Sequence, residues 1–298
     1  MRIVDELKKE GVKRMILDTD TYNEIDDQFA LATAMIASDK IDLACVCAAP
    51  FHNENSSSYA DGMERSYREI GICAELVHDS HGVKIPPYYR GSTERMTDEN
   101  TPVESEAAHK IFEHVMAYDG ITFVTAIGAI TNVASAILLH PEIKEKIGVI
   151  WLGGGARWFN GCEFNLCGDR NAANAVFKSS VPLLLFPCQG VVSHLSATIW
   201  ELEHFLRGNS RLGDYLCDNV ARCQPKNALS WSRVIWDVAT ICAVIDPYSF
   251  ASSVQPRPYV RDDWAYEYGI YEGVYEHVDV INRDLMLSIM FSKLQKNK

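Results

Sequence analysis

Arg14-Met15-Ile16-Leu17-Asp18-Thr19-Asp20-Thr21-Tyr22-Asn23-Glu24-Ile25-Asp26-Asp27-Gln28-Phe29-Ala30-Leu31 passes from an apolar run to an acidic one and back again. Residues 15–17 read as a strand, and the apolar run 29–37 as a buried helix. Asp18, Asp20, Asp26 and Asp27, with Glu24 between the pairs, therefore occupy a strand-to-helix turn. An aspartate just before a helix is ordinarily its cap. Capping accounts for one or two of these acids, not for all of them. Crowded carboxylates repel one another unless some are protonated or a cation sits among them. Hard oxygen ligands of this kind suit calcium or magnesium.

Outward from this turn, apolar strands alternate with helices. Strands are expected at 41–48, 121–127, 146–152 and 181–187, with a shorter candidate at 73–77. Helices are expected at 1–13, 59–70, 103–118, 170–178 and 234–245. One or two more fall within 196–223, joined through Gly208-Asn209-Ser210. The tail reads as strands near 250–260 and 270–281, then a helix at 284–296. This alternation predicts an α/β fold, an open and mostly parallel sheet with helices on both faces. Polar residues follow the strand ends repeatedly: Asp18 and Asp20, His52 and Asn53, Thr131 and Asn132, then Gly153 onward. Sites in such sheets lie at those ends. Residues 79–101 are long for a structureless connection, a length that goes with binding loops and lids. No linker divides the chain, so residues 1–298 are expected to form a single domain.

The 298 residues are 47% apolar and 23% charged, as in a soluble globular protein. A formal net charge of -12 argues against a nucleic-acid partner, which needs clustered Lys and Arg. The first residues lack the apolar core of a secretion signal, and no segment is long and apolar enough to span a membrane. Nine cysteines without staple-like spacing are expected as free thiols in a reducing cytoplasm. Cys45 and Cys47, two apart on a strand, read as core residues.

Two further groups of residues bear on chemistry. Glu163-Phe164-Asn165 places two polar side chains two apart, on one side if the segment is extended, where both could bond vicinal hydroxyls. Asp237, beside Trp236 at the start of an apolar helix, reads as either another ligand or a cap. The glycine run Gly153-Gly154-Gly155 is not followed by a phosphate-binding Lys and hydroxyl residue. No nucleophilic serine elbow is present either. A different enzyme class, a metal-dependent phosphohydrolase with Asp18 as its nucleophile, would need a phosphate-binding lysine that no motif of the sequence places.

The combination resembles the inosine–uridine nucleoside hydrolase family, whose members carry Asp-x-Asp-x-Gly-x-Asp-Asp near the N-terminus. Here Asp18-Thr19-Asp20 is followed, after Thr21-Tyr22-Asn23-Glu24-Ile25, by Asp26-Asp27. The interval has two extra residues and no glycine. The resemblance continues in the family's order through Gly128-Ala129-Ile130-Thr131-Asn132, Glu163-Phe164-Asn165, Asp169 with Ala172-Ala173, and Asp237.

This resemblance implies hydrolysis of the N-glycosidic bond of a ribonucleoside, with calcium as cofactor. It makes Asp20, Asp27, Asp237 and the Ile127 carbonyl the calcium ligands. Asp20 also becomes the base for the attacking water. Asp26, Glu163 and Asn165 would hold the ribose hydroxyls, with Asp18 behind them as support. A second sugar-facing asparagine would correspond to Asn160, with Arg157 as the alternative at that place. Many members have histidine immediately before the last ligand aspartate, where this chain has Trp236. Tryptophan can stack on a base but cannot act as a ring acid. His52, His81 and Arg157 are the other candidates near the leaving group by loop position. The resemblance further implies a homodimer or homotetramer. The alternative is a calcium- and ribose-binding protein of the same fold without efficient hydrolysis.

Overall fold

The apolar run ahead of the acidic turn lies within β1 (Lys13–Thr19), every residue of which from Met15 onward is buried. The computed structural model describes residues 1–159 and 161–296. β2 (Ile41–Ala48), β3 (Tyr88–Arg90), β4 (Thr122–Ala126), β5 (Ile147–Leu152) and β6 (Leu183–Phe186) follow. β7 (Ser196–Thr198) pairs with β8 (Ser232–Val234) in a small antiparallel ribbon. After β9 (Phe250–Pro256), β10 (Pro258–Val260) and β11 (Tyr266–Tyr268) form a second ribbon, and β12 (Val274–Ile281) is last. The main sheet runs β3-β2-β1-β4-β5-β6-β12-β9. Its pairings are parallel up to β12, and only the edge strand β9 is antiparallel.

Alternation along the strands divides two apolar cores. Met15 and Leu17 face one core with the helices Asp27–Ile36, Tyr59–His81, Val238–Ile245 and Arg283–Leu294. Ile16 faces the other with Glu106–Met116, Thr131–Leu139 and Arg170–Lys178. The fold is thus the expected α/β architecture with helices on both faces. From β1 the chain proceeds to β2 and β3 on one side, then returns to β4 on the other. The C-terminal ends of β1 and β4 consequently border a crevice at the point where strand order reverses.

Three departures have physical reasons. The strand expected at 73–77 is part of one long helix, Tyr59–His81. Met63, Ile70, Cys73, Ala74 and Val77 are its buried stripe, a helical period that the short run alone does not reveal. That helix ends at Gly82, whose φ of 69° forms a left-handed cap donating to the His78 carbonyl. The helix expected from 234 begins instead at Val238, because Ser232–Val234 are taken into β8. Finally, Cys162 and Cys167 are joined in a disulfide rather than free. The other cysteines remain thiols.

The segment at 79–101 is pinned rather than hung over the crevice. Ser92 N–H donates to Asn132 Oδ1 at 2.7 Å and Met96 N–H to Asp169 Oδ2 at 2.8 Å. Part of it joins the sheet as β3. Among the described residues no helix is long and apolar enough to cross a membrane.

Candidate functional site

The acidic turn leaves the end of β1 and enters the helix Asp27–Ile36. Neither Asp26 at that helix's start nor Asp237 at the start of Val238–Ile245 caps its helix with its side chain. Both carboxylates instead point to common ground. Asp26, Asp27 and Asp237 each offer a carboxylate oxygen, and the three atoms lie within 4.8 Å of one another. A crevice at the strand ends is lined by these three together with Asp20, Ile127, Glu163, Asn165 and Trp236. All four aspartates of the crevice are essentially buried.

Electrostatics make this an unstable arrangement for the bare chain. Both oxygens of Asp20 are buried without a hydrogen-bond partner. Burial, then the charges of Asp27, Asp26 and Asp18, push its carboxyl well above the usual range. Burial followed by Asp26, Asp27 and Asp20 does the same to Asp237. Burial and Glu24 raise Asp26 to about 8, and burial raises Asp27 to about 7 despite the bond from Thr19. The helix N-termini at Asp27 and Val238 offer only partial positive charge. The three clustered carboxylates offer only oxygen, a donor set that suits a hard divalent cation, and Asp20 with its two unpartnered oxygens lines the same crevice.

Behind the crevice, Asp18 is fully buried and accepts from Asn132 Nδ2 at 2.8 Å. Asn132 in turn accepts from Ser92 N–H and Oγ. Burial raises Asp18 to about 7. It does not line the crevice. Gly128 closes the site from β4: a Cβ added there would come within 2.9 Å of the Asp20 carboxylate.

The opposite wall is built differently. Glu163 caps the one-turn helix Phe164–Gly168, accepting from Asn165 N–H and Leu166 N–H at 3.0 Å, and from Gly154 N–H at 2.6 Å. The segment is therefore not extended, and Glu163 and Asn165 reach the crevice through a helical turn. Asn165 Nδ2 donates to the carbonyls of Ile127 and Leu152, both at 3.0 Å. With both carbonyls holding its amide, Asn165 keeps Oδ1 as an acceptor for a ligand hydroxyl. The Ile127 carbonyl retains a second lone pair.

Trp236 lines the crevice, half-buried. His52 lies in the loop after β2, exposed, near the Tyr59 ring and Ser56 Oγ, and is not among the lining residues. His81 ends the helix Tyr59–His81 and lines a different cavity, and Arg157 bonds Gln255. Asn160 lies outside the described residues. Cys188 and Gln189 also line the crevice. Sequence reading passed over them, although they follow the C-terminal end of β6 and obey the same strand-end rule.

The family model described as Inosine-uridine preferring nucleoside hydrolase matches residues 15–284. The pyrimidine-specific ribonucleoside hydrolase RihB of Escherichia coli O17:K52:H18 is 31% identical over 128 residues, 42% of this chain and 39% of that protein. The Arabidopsis thaliana protein named Probable uridine nucleosidase 2 is 28% identical over 149 residues, 48% of this chain and 44% of its own length. The chain thus spans less than half the length of these curated relatives. A plant nucleoside hydrolase, PpNRh1, superposes with a TM-score of 0.75 at 19% identity, over 96% of this chain and 100% of that one. A purine-preferring ribonucleoside hydrolase from Gardnerella vaginalis gives 0.74 at 18% identity, over 95% and 98%. At such identities the structural likeness speaks for the fold. The family match reaches from the acidic turn to beyond β12, and the chain belongs to the inosine-uridine preferring nucleoside hydrolase family.

Proposed function

We propose that this chain, acting as one domain over 1–298, hydrolyses the N-glycosidic bond of a ribonucleoside with calcium as its cofactor. The observation that carries this reading is the Asp20 carboxylate, buried with no partner beside the trio Asp26, Asp27 and Asp237. Asp20, Asp27, Asp237 and the Ile127 carbonyl would hold the cation, with Asp26 close enough to share it. A divalent cation there neutralises acidic charge and lowers the pKa of water at the site.

The remaining steps belong to the chain. Asp20 takes a proton from the attacking water, a role that suits a carboxylate whose proton affinity is raised by burial and by Asp27. As oxygen bonds to the anomeric carbon, the bond to the base nitrogen breaks and its electron pair leaves with the base. Asp26 and Asn165 Oδ1 accept from ribose hydroxyls, and Glu163 fixes the turn that presents Asn165. Negative carboxylates around the sugar favour a ribosyl centre that develops positive charge. Trp236 stacks on the base, which takes its proton from solvent or from a group that closes over it.

This reading includes a homodimer or homotetramer, measurable by light scattering as a multiple of 33.4 kDa. It also includes a cytoplasmic location, in which the Cys162–Cys167 disulfide would be open to reduction. The second reading, calcium and ribose binding without efficient hydrolysis, is favoured by one observation: among the described residues no imidazole lines the crevice. A panel of purine and pyrimidine nucleosides, followed by release of free base and reducing sugar with and without a chelator, separates them. Chelator-sensitive release supports the hydrolase; calcium and ribose binding with no release from any nucleoside overturns it.

A further inference from the structure

Two cysteines bracket the turn that carries Glu163 and Asn165, and the chemistry above uses neither. Cys162 immediately precedes the cap residue Glu163, and Cys167 is the fourth residue of the helix Phe164–Gly168. In a capped helix these two positions lie against each other and commonly hold a pair of apolar side chains. Here they hold two sulfurs, joined in a disulfide with Cα atoms 5.5 Å apart, a separation that suits a bridge.

The bridge closes a loop around Glu163, Phe164, Asn165 and Leu166. A single turn of helix is unstable by itself, so the geometry of this one depends on its cap and on the covalent clasp. Glu163 accepts from two amide groups of the turn and from Gly154 N–H, and Asn165 spans to the ends of β4 and β5 through Ile127 and Leu152. Loosening the clasp loosens the residue that presents Oδ1 to the crevice. Cys162 is exposed and Cys167 half-buried, so a thiol can reach the bond from the Cys162 side. Of the unpaired cysteines, only Cys223 is exposed.

We propose that Cys162 and Cys167 form a reversible dithiol–disulfide modification site that sets how tightly the Glu163–Asn165 turn holds ribose. The inference rests on the reading of that turn as ribose-binding. The reductant is a dithiol, either small or a protein of the thioredoxin class. One of its thiolates attacks Cys162 Sγ, the bond to Cys167 Sγ breaks, and Cys167 leaves as a thiolate that takes a proton. The reductant's second thiolate then attacks the mixed disulfide and releases Cys162, which is protonated in turn. The protein gains two electrons and two protons, and the dithiol becomes a disulfide.

The test uses the full chain loaded with calcium and poised with oxidised glutathione or with dithiothreitol. Non-reducing peptide mapping establishes the state of the pair. Calorimetry with D-ribose measures affinity, and inosine and uridine hydrolysis gives KM. The disulfide form should bind ribose roughly 3- to 10-fold more tightly, because the bound geometry is organised in advance, with calcium affinity unchanged. Cys162→Ser and Cys167→Ser should each hold the weaker value under both conditions, while Cys223→Ser should keep the response. Equal ribose affinity in two states that mapping shows to be fully oxidised and fully reduced would overturn the inference. So would a pair that stays reduced in oxidised glutathione. Redox-dependent ribose binding with no release of base from any nucleoside of the panel would remove the hydrolase reading and leave this one standing.

Discussion

Asp20 and Glu163 face one crevice from opposite walls, both are buried carboxylates, and the chain treats them in opposite ways. Glu163 accepts three backbone N–H groups and closes a helix turn. Asp20 has no partner for either oxygen and stands among other acids. Burial raises both, at Glu163 against the pull of its amides. A carboxylate satisfied by amides is a structural part whose charge the fold already carries. One left unsatisfied among its own kind adds to a local negative charge that a bound cation would offset. The same residue type therefore serves the fold on one wall and, on the proposed reading, a cation on the other.

The sharpest way to break this contrast is Asp20→Ala. On the proposed reading it removes the base and one arm of the cation site, and kcat should fall by roughly 1,000-fold or more, about 4 kcal/mol of barrier. The fold should survive, since the change also relieves repulsion. Thermal unfolding and turnover measured on the same sample would check both halves. An active variant would end the assignment of Asp20.

The next effect is on stability against pH. Without calcium, Asp18 and Asp27 are raised to about 7 and Asp26 to about 8. Between the ordinary carboxylate range and those values the folded chain holds more protons than the unfolded one. Stability of the chelated protein should therefore fall as pH rises from about 4 to 8. Calcium should restore it most at the upper end, by about 3 kcal/mol or roughly 5–10 °C in Tm. Melting curves across that window, with chelator and with calcium, give the answer; a chelated protein that gains stability toward pH 8 would contradict the repulsive cluster.

On the amide-satisfied wall the effects are smaller and separate from the metal. Asn165→Ala should lower kcat/KM by roughly 30-fold, about 2 kcal/mol for a lost polar contact in a buried site, with calcium retained. Beside the acidic cluster, Trp236→Ala should cost about tenfold on inosine, the equivalent of roughly 1.4 kcal/mol, and little on a nitrophenyl riboside, whose leaving group needs no help. An equally large loss on both substrates would make Trp236 a structural residue and remove its stacking role.

The two walls also differ in how far they could be read from sequence. The acidic turn announces itself, because Asp18 to Asp27 are close in the chain and the flanking apolar runs place them at a strand end. Asp237 needed the family resemblance, since a lone aspartate before a helix looks like a cap until its side chain is seen not to cap. The Glu163 wall was legible as residues but not as geometry. An extended tripeptide and a capped helical turn share the sequence Glu-Phe-Asn, and the deciding contacts to Gly154, Ile127 and Leu152 come from strands remote in the chain. The same limit hid the Cys162–Cys167 pairing, whose spacing has meaning only once the helix cap is known, and the helical continuation through residues 73–77. A mostly parallel sheet covered on both faces followed from the strand–helix alternation, whereas its strand order and the antiparallel edge strand β9 did not.

The central claim, that the unsatisfied acidic cluster is a cation site and the satisfied glutamate is not part of it, is tested most directly by calcium titration calorimetry. Wild type, Asp27→Asn and Glu163→Gln would be compared after exhaustive chelation. The account predicts one calcium per chain for wild type, the same for Glu163→Gln, and loss of binding in Asp27→Asn. No calcium uptake by wild type, or equal loss in both variants, would contradict it.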